Sequence, residues 1–516
     1  MGNYVIKFCA GLLANIISGL ILIDHDYSIK ELTVNSEKKT SGIRWNLLIW
    51  FFPVLFLIDN ILGFNGYQFT IAGKSIRIIL FCITAAVLCV YSLFVCHRDG
   101  ISLLPWKKGT VSIFSLLKPI DYIVLLFIVG NALWATVVPL IQRGEMQYAL
   151  KDFSTILVMT LYFPLVFLIR TGRLNLDHLE KLTYILCIIL AIWHCVMYIG
   201  DTIHPGFYAS YYDFIDMISS GTAVRSDVIY GFGITRVIQT TSLFLLLGAF
   251  IAIRYCLRGK HMHFMSVVLF VFAICVTYTK SIWFGFIFGS VVYLVPVLFS
   301  KQNKKLRKCA LLVGISILLT VTTLNYTVFD NTIFTRVLNI GSTQVTIESL
   351  EDELDKLIDT TEGEEEFSEE EIEKLQNEIL DAKGTQLSNS IRAKQNSALI
   401  KKWKQKAWFG FGYGSYTEEC IRNEQYPYMY ETTLLALMMK LGIVGALVWV
   451  VFIVSAVVSS AGFFWKRNRS DLFWWLGLAI SYGLAVQTNP FLFTFTGFSI
   501  LLYLMLAIQE KNGCRS

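Results

Sequence analysis

Long apolar runs alternate with short polar segments along most of the chain. A bilayer core about 30 Å thick needs roughly 20 apolar residues per helical span. Twelve runs meet that requirement: residues 46–63, 77–96, 120–141, 149–169, 182–200, 237–257, 262–279, 281–299, 309–327, 432–460, 471–488 and 491–509. A thirteenth run, 4–23, is interrupted by Lys7 and either spans the bilayer or lies in its interface. The pattern predicts an all-α polytopic transmembrane helix bundle of about 12 to 13 spans.

Composition supports a membrane protein rather than a chain of soluble domains. Apolar residues make up 55% of the chain and charged residues only 16%, and the mean hydropathy is +0.57. The net charge of +6 is spread along the loops instead of forming one patch. We therefore predict no nucleic-acid partner.

The basic residues orient the predicted spans. Alternate loops are rich in Lys and Arg: 24–45, 97–119, 170–181, 254–260, 301–308 and 466–469. The positive-inside rule makes these loops cytoplasmic. An outer loop at 201–236 and a large extracytoplasmic loop at 328–431 then face outward. The predicted parts are the helices of 1–327, the large loop, and the C-terminal helices of 432–516.

Cysteine and carboxylate spacing predicts neither a metal site nor a disulfide framework. Of the eleven cysteines, only Cys420 falls in the large outer loop, where a framework would need pairs. Asp24-His25-Asp26 has the form of a DxD metal site, but a lone match is most simply a solvated loop. We expect no metal and no cofactor.

The first part of the large loop is strongly acidic. Residues 348–383 contain sixteen acidic and three basic residues. Apolar residues recur there at spacings of three and four, which predicts two short amphipathic helices. Ser368 followed by Glu371 is a capping-box pattern that would start the second helix. We interpret this segment as a solvated helical hairpin; cation binding or regulation is the alternative.

The second part, 390–416, combines a basic helix with a glycine-rich turn. Its lysines and arginine are interleaved with Trp403 and Trp408. Such a helix can lie along anionic headgroups or bind a lipid-linked phosphate. The alternate glycines within 410–414 predict a tight turn, because glycine adopts positive φ at little steric cost. They follow a helix rather than a strand, which excludes a dinucleotide-binding loop.

Several motifs in residues 180–510 follow one another in a characteristic order. A glycine and arginine segment, 230–236, precedes one span, and 277–281 ends another as Thr-Tyr-Thr-Lys-Ser. Arg392 opens the basic helix, and after the turn the chain re-enters the membrane at Glu431-Thr432. In this order the motifs resemble the O-antigen ligase and polymerase superfamily, with a lysine replacing the arginine of the family's Thr-x-Thr-Arg-Ser element.

The resemblance implies transfer of a growing glycan from one polyprenyl diphosphate to the sugar hydroxyl of another. Positioned cations would stabilise the departing diphosphate, and a carboxylate would accept the hydroxyl proton. The residues that the resemblance assigns to catalysis are Glu431, Lys280 and Arg392. Those assigned to substrate binding are Arg225, Arg236, Arg336, Gly412 and Gly414. The donor's diphosphate bond supplies the energy, so no ATP or metal is required.

One departure from the family pattern indicates which branch of the superfamily, ligase or polymerase, the chain resembles more. The ligase branch typically has a His-Asn pair where this chain has Glu431-Thr432, which favours a Wzy-type polymerase. The implied partners are undecaprenyl diphosphate-linked oligosaccharide, membrane lipids and a chain-length regulator. The implied location is the bacterial cytoplasmic (inner) membrane, with the active site on its extracytoplasmic side.

An O-antigen ligase is the first alternative function. A lipid-linked oligosaccharide flippase is the second, although the large outer loop and the lack of a visible repeat argue against it.

Each candidate side chain also has a structural interpretation. Lys280 and Arg236 could reach headgroups from helix ends, and Glu431 could stabilise a helix N-terminus. The charged residues read as structural near span ends are Asp121, Asp152 and Lys440. His194 is read as a packed residue of a membrane helix.

Overall fold

The computed structural model describes residues 39–63, 70–71, 74–102, 112–142, 144–207, 209–211, 213, 227–229, 234–300, 304–329, 331, 333–334, 348–353, 369–421, 426–487 and 490–509. Several predictions fall outside these residues: those for 4–23, Asp24-His25-Asp26, Arg225, 230–233, Arg336 and the hairpin segment 354–368.

Helices dominate the described part of the chain. They are α1 (Lys39–Leu62), α2 (Ile76–Arg98), α3 (Pro119–Ile141), α4 (Met146–Phe153), α5 (Tyr162–Arg170), α6 (Leu176–Ile203), α7 (Leu243–Leu257), α8 (Phe264–Val276), α9 (Lys280–Phe299), α10 (Lys304–Thr327), α11 (Glu369–Gln405), α12 (Thr433–Arg467), α13 (Arg469–Ala485) and α14 (Phe495–Leu506). A 3-10 helix, Ser154–Leu161, joins α4 to α5. Short 3-10 turns lie at Ile113–Leu116, Thr240–Ser242, His261–His263 and Glu418–Cys420.

The strands are too short to change the fold class. Strands β1 (Thr70–Ile71) and β2 (Lys74–Ser75) form one antiparallel pair. Strands β3 (Asp227–Ile229) and β4 (Ile234–Arg236) form another, in which Val228 lies opposite Thr235.

The predicted polytopic helical membrane protein is confirmed. Within the described residues, eight helices are long and apolar enough to cross a membrane, and three shorter apolar helices accompany them. Together with α13, these helices coincide with every one of the twelve apolar runs. The central helix is α7, because 89% of the span that contains it is buried inside the protein.

Ion pairs join the basic loops at one end of the bundle, here called the basic end. Arg173 binds Asp99 at 3.1 Å, which links the α2–α3 and α5–α6 connections. Arg254, at the end of α7, binds Glu180 at 2.7 Å and Asp471 at 2.9 Å. The opposite end carries the described residues of 328–431 and is here called the loop end. In the described part of the chain, these residues and the ion-paired basic loops therefore lie at different ends of the bundle.

Helices α9 and α13 approach each other through small residues. A Cβ atom added at Gly289 would lie 2.4 Å from the carbonyl oxygen of Gly477. A Cβ atom at Gly477 would lie 2.7 Å from the carbonyl oxygen of Gly289. Lipid tails are as apolar as leucine, so close backbone packing of this kind is what holds membrane helices together.

Helix α12 is interrupted at Gly442, where φ is 64° and ψ is −169°. The break removes the intrahelical donors for the carbonyl groups before it. The carbonyl oxygen of Met439 instead accepts the backbone N–H of Phe411 at 3.1 Å, and that of Lys440 accepts Gly412 N–H at 2.7 Å. The glycine-rich turn thus supplies the donors that the helix lacks.

The exchange is reciprocal on the other side of the break. The backbone N–H of Ile443 donates to the carbonyl oxygen of Ala407 at 2.9 Å, and that of Val444 donates to Trp408 at 3.0 Å. An unsatisfied backbone group costs several kcal/mol in a membrane. The turn and the broken helix therefore complete each other's hydrogen bonding.

The structure differs from the sequence prediction in the large loop. The second amphipathic helix of the acidic segment and the basic helix are one continuous helix, α11. Gly384 lies between them, but one interior glycine costs only about 1 kcal/mol. Leu375 and Ile379 of α11 are buried, and each such burial is worth about 1.5–3 kcal/mol. Lys383 binds Glu351 at 2.5 Å, so the described start of the acidic segment, 348–353, contacts this helix.

We expect Gly442→Ala to destabilise the protein. A non-glycine residue in the left-handed region costs roughly 1–2 kcal/mol, and the new Cβ atom would lie 2.5 Å from the backbone of Gly410 and Trp408. Thermal unfolding of the purified protein in detergent measures the effect. The control is Gly462→Ala on the same helix, where a Cβ atom meets nothing within 4 Å. Equal melting temperatures for the two variants would contradict a structural role for the break.

Candidate active site

Two of the predicted catalytic residues lie in contact at the loop end. The Nε atom of Arg392 on α11 donates to Oε2 of Glu431 at 2.6 Å, just before α12 begins. The Glu431 side chain is 15% exposed and that of Arg392 is 38% exposed. Burial lowers the pKa of Arg392 below its usual value. The pair is thus partly desolvated yet open to a ligand.

A small apolar cluster sets the position of this pair. Leu399 of α11 packs with Tyr430, Ala436 and Met439 at the start of α12. Gln395, one turn after Arg392, accepts the backbone N–H of Glu431 at 3.2 Å. The buried face of α11 therefore fixes Arg392 above the residue with which it pairs.

A second group of cations lies at the junction of α8 and α9. Nε of Arg236, on β4, donates to the Thr277 carbonyl oxygen, and an Nη atom donates to Oγ1 of Thr279, both at 3.1 Å. Between them, Tyr278 is buried with φ at 45°, which is unusual for a non-glycine residue. Lys280 follows Thr279 and is the first residue of α9. The Thr-Tyr-Thr-Lys-Ser element thus forms a sharp turn that brings Arg236 and Lys280 to one helix end.

Both groups border the C-terminal end of α13. Lys280 lies a little over one helical turn before Gly285, whose added Cβ atom would contact Ala485 of α13 at 3.5 Å. Thr433, two residues after Glu431, donates its hydroxyl group to the carbonyl oxygen of Val486 at 2.6 Å. Both candidate groups therefore lie near the C-terminal end of α13.

The glycine-rich turn packs closely against α3 and α4. Gly412 and Gly414 have φ values of 88° and 74°. A Cβ atom at Gly412 would lie 2.7 Å from Pro139, and one at Gly414 would lie 2.3 Å from the backbone nitrogen of Ala149. The predicted tight turn is present, and its glycines permit close approach between backbone segments.

A buried ion pair that the sequence analysis did not connect lies under the turn. Nζ of Lys440, on α12, binds Oδ2 of Asp152, on α4, at 2.6 Å, and both side chains are 1% exposed. The backbone N–H of Gly414 donates to the same oxygen at 2.9 Å. The partners are 288 residues apart, so no local sequence pattern predicts that they pair. The sequence showed only that each is a lone charged residue near the end of a predicted span.

Two lysines of the basic segment, Lys401 and Lys402, line an open groove of about 510 Å³ between α11 and the turn. Lys402 donates to the carbonyl oxygen of Tyr416, and burial lowers the pKa of this lysine. Lys406 donates to Oε1 of Gln142 at 3.0 Å. The groove also includes Glu145. Neither Gln142 nor Glu145 belongs to a motif, so sequence reasoning missed both. Lys402 and Lys406 therefore bind other parts of the protein, and lipid headgroups are not their only partners.

Two other residues have the structural roles expected of them. His194 is fully buried and hydrogen-bonded to the Leu190 carbonyl and the Ser242 hydroxyl group, both at 2.9 Å. Asp121 is buried and binds Arg170 at 2.5 Å. Among the described residues, no group of three His, Cys, Asp or Glu side chains could hold a metal ion.

Comparison with known families bears directly on this site. Residues 265–450 match the family model Wzy_C, described as O-antigen ligase.

These residues form a domain of the O-antigen ligase and polymerase superfamily.

The O-antigen ligase domain begins in α8, ends within α12, and contains Lys280, Arg392 and Glu431. Two residues that contact this domain lie outside the matched segment: Arg236, which donates to Thr277, and Asp152, which binds Lys440. The family indicates a membrane enzyme that transfers glycans and acts on polyprenyl-linked oligosaccharides. Searches of curated proteins and of solved structures found no match.

The geometry provides the two groups that glycan transfer needs. Cations at the α8–α9 turn and on α11 can bind a phosphate, since guanidinium groups match phosphate oxygens. A carboxylate lies beside one of them and can accept a proton.

We expect Asp152→Asn or Lys440→Met alone to destabilise the protein strongly. Removing one partner leaves the other as a buried unpaired charge or polar group, which costs about 3–5 kcal/mol. The double variant should be more stable than the sum of the single effects predicts. A double-mutant cycle of thermal unfolding in detergent measures this coupling. Lys401→Gln is the control, because the Lys401–Glu419 pair is exposed. Additive single effects would show that the buried pair is not coupled.

Proposed function

We propose that the chain is a membrane glycan polymerase, which joins polyprenyl diphosphate-linked oligosaccharide repeat units into O-antigen, capsule or exopolysaccharide. The observation that supports this most directly is the Arg392–Glu431 contact within the O-antigen ligase domain. It places a phosphate-binding cation beside a candidate general base.

The proposed reaction transfers a glycan between two lipid-linked molecules. The bond between the donor's anomeric carbon and its diphosphate oxygen breaks, and that carbon bonds to the acceptor's hydroxyl oxygen. Glu431 accepts the hydroxyl proton. Negative charge grows on the departing polyprenyl diphosphate, and Arg392, Lys280 and Arg236 stabilise it. Arg225, Arg336, Gly412 and Gly414 remain proposed substrate-binding residues.

Arg392 has donors available for a phosphate. Its pair with Glu431 uses Nε; among the described residues, neither terminal nitrogen has a protein partner. A guanidinium group has five N–H donors in a planar fork. A diphosphate that binds this fork would compete with Glu431 for Arg392, and the carboxylate would then be a better base toward the acceptor.

The polymerase branch is favoured by Glu431-Thr432, where ligases typically have His-Asn. The ligase, which moves finished polymer to an acceptor, is the second candidate, because the matched family is described as O-antigen ligase.

We place the active site on the extracytoplasmic side of a bacterial inner membrane, opposite the basic end. The donor carrier would be undecaprenyl diphosphate, and a chain-length regulator is a proposed partner. No metal takes part in the proposed reaction.

We expect Arg392→Gln and Glu431→Gln each to reduce polymer by about 10²-fold or more, since each removes a group that acts on developing charge or the proton. Surface glycan from cells that express each variant is separated on a gel, and immunoblots of membranes confirm equal protein levels. Lys394→Gln is the matched control, because Lys394 is exposed on the same helix. Normal polymer from both active-site variants would refute the site assignment.

The same gel distinguishes the two candidate reactions when the gene is deleted. Polymerase activity predicts that the glycan ladder collapses to a single repeat unit on its acceptor. Ligase activity predicts long polymer that remains on its lipid carrier and never reaches the acceptor. The second pattern would refute the polymerase proposal and show that the role of Glu431 is misassigned.

A further inference from the structure

A separate polar pocket lies at the basic end, far from the candidate active site. Its volume is about 300 Å³, and it is formed between α7, α9, α10 and α13. Three cations, Arg254, Arg258 and Lys305, line it together with one carboxylate, Asp471. The pocket therefore has an excess of positive charge at the end of a membrane helix bundle.

The deepest cation is fixed by the protein. Arg254 is shared between Glu180 and Asp471 at 2.7 and 2.9 Å, and its guanidinium group lies 4.3 Å from the Trp474 ring centre. Its carboxylate partners are held in turn, because Tyr503 donates to Glu180 at 3.0 Å and Asn468 donates to Asp471 at 3.0 Å. Arg254, Asp471 and Asn468 of this network line one side of the pocket.

The outer cations are more open. Arg258 contacts Asp471 through a single nitrogen, Nη2, at 3.2 Å, and its side chain is 41% exposed. Among the described residues, its Nε and Nη1 atoms have no protein partner. Lys305, on the first turn of α10, is exposed. An anion at the mouth of the pocket could bind Arg258 and Lys305 without disturbing the Arg254 network.

The helix that supplies Lys305 also provides an apolar surface. Only 22% of the α10 span is buried inside the protein. Its exposed side chains begin two turns after Lys305: Leu311, Leu312, Ile315, Leu318 and Leu319. A molecule with an anionic head at the pocket and apolar tails along α10 would match both surfaces.

We propose that this pocket binds the phosphate group of an anionic phospholipid, with Arg258 and Lys305 as its ligands and the acyl chains along α10. Basic pockets between membrane helices at the cytoplasmic side are suited to such headgroups. Arg offers planar donors to phosphate oxygens, while Lys adds a point charge. The site is distinct from the glycan-transfer site and does not depend on its assignment.

The test uses the full-length protein in a neutral detergent and measures lipid binding by native mass spectrometry. Dioleoyl phosphatidylglycerol is titrated against dioleoyl phosphatidylcholine, which has the same tails and no net charge. We expect at least about tenfold preference for the anionic lipid, the ratio that 1.4 kcal/mol corresponds to. The double variant Arg258→Gln/Lys305→Gln should lose most of that preference. Lys305→Gln alone, which keeps the contacts of Asp471 with Arg254 and Arg258, should lose part of it.

The control removes the same charge from the same helix outside the pocket. Arg307→Gln/Lys308→Gln should retain the wild-type preference, because neither residue lines the pocket. Equal loss in this control and in the pocket variant would overturn the proposal in favour of a diffuse charge effect. Unchanged preference in the pocket variant would also overturn it. Inorganic phosphate is titrated alone, and binding as tight as that of the anionic lipid would identify a free-phosphate site instead.

Discussion

The requirement that every backbone polar group in a membrane be hydrogen-bonded shapes this protein most strongly at one point. Helix α12 breaks at Gly442, and a break inside a membrane segment leaves carbonyl and N–H groups without partners. The segment from Ala407 to Gly412 provides those partners on both sides of the break. The glycine-rich turn is thereby hydrogen-bonded into the gap in α12.

This exchange determines where the candidate active site lies. Because the turn is held to α12 and packs against α3 and α4, the end of α11 cannot move independently of the start of α12. Arg392 lies on α11 and Glu431 lies just before α12, and the two side chains meet at 2.6 Å. Lys440 is held on the broken helix opposite Asp152, beneath the same turn. One backbone arrangement thus positions both a structural ion pair and a candidate catalytic pair.

Exposure separates the two kinds of charge pair. Lys440–Asp152 and Arg170–Asp121 have side chains no more than 1% exposed and no room for a ligand. Such pairs compensate charges that the apolar interior would otherwise exclude. Arg392 is 38% exposed, so its charge is only partly compensated and remains accessible to an anionic substrate. A partly exposed cation beside a carboxylate is the arrangement that the proposed transfer from a diphosphate donor would use.

The sequence by itself determined the membrane class, the twelve helical segments and the grouping of the basic loops, because these follow from the apolar run length and charge of contiguous residues. It also marked Arg392, Glu431 and Lys280 through the order of motifs. The tertiary structure decided the rest. It joined the acidic and basic helices into α11, paired Asp152 with Lys440, and brought Gln142 and Glu145 to the lysine groove. Contacts between residues hundreds of positions apart depend on how helices pack, and no local pattern records that packing.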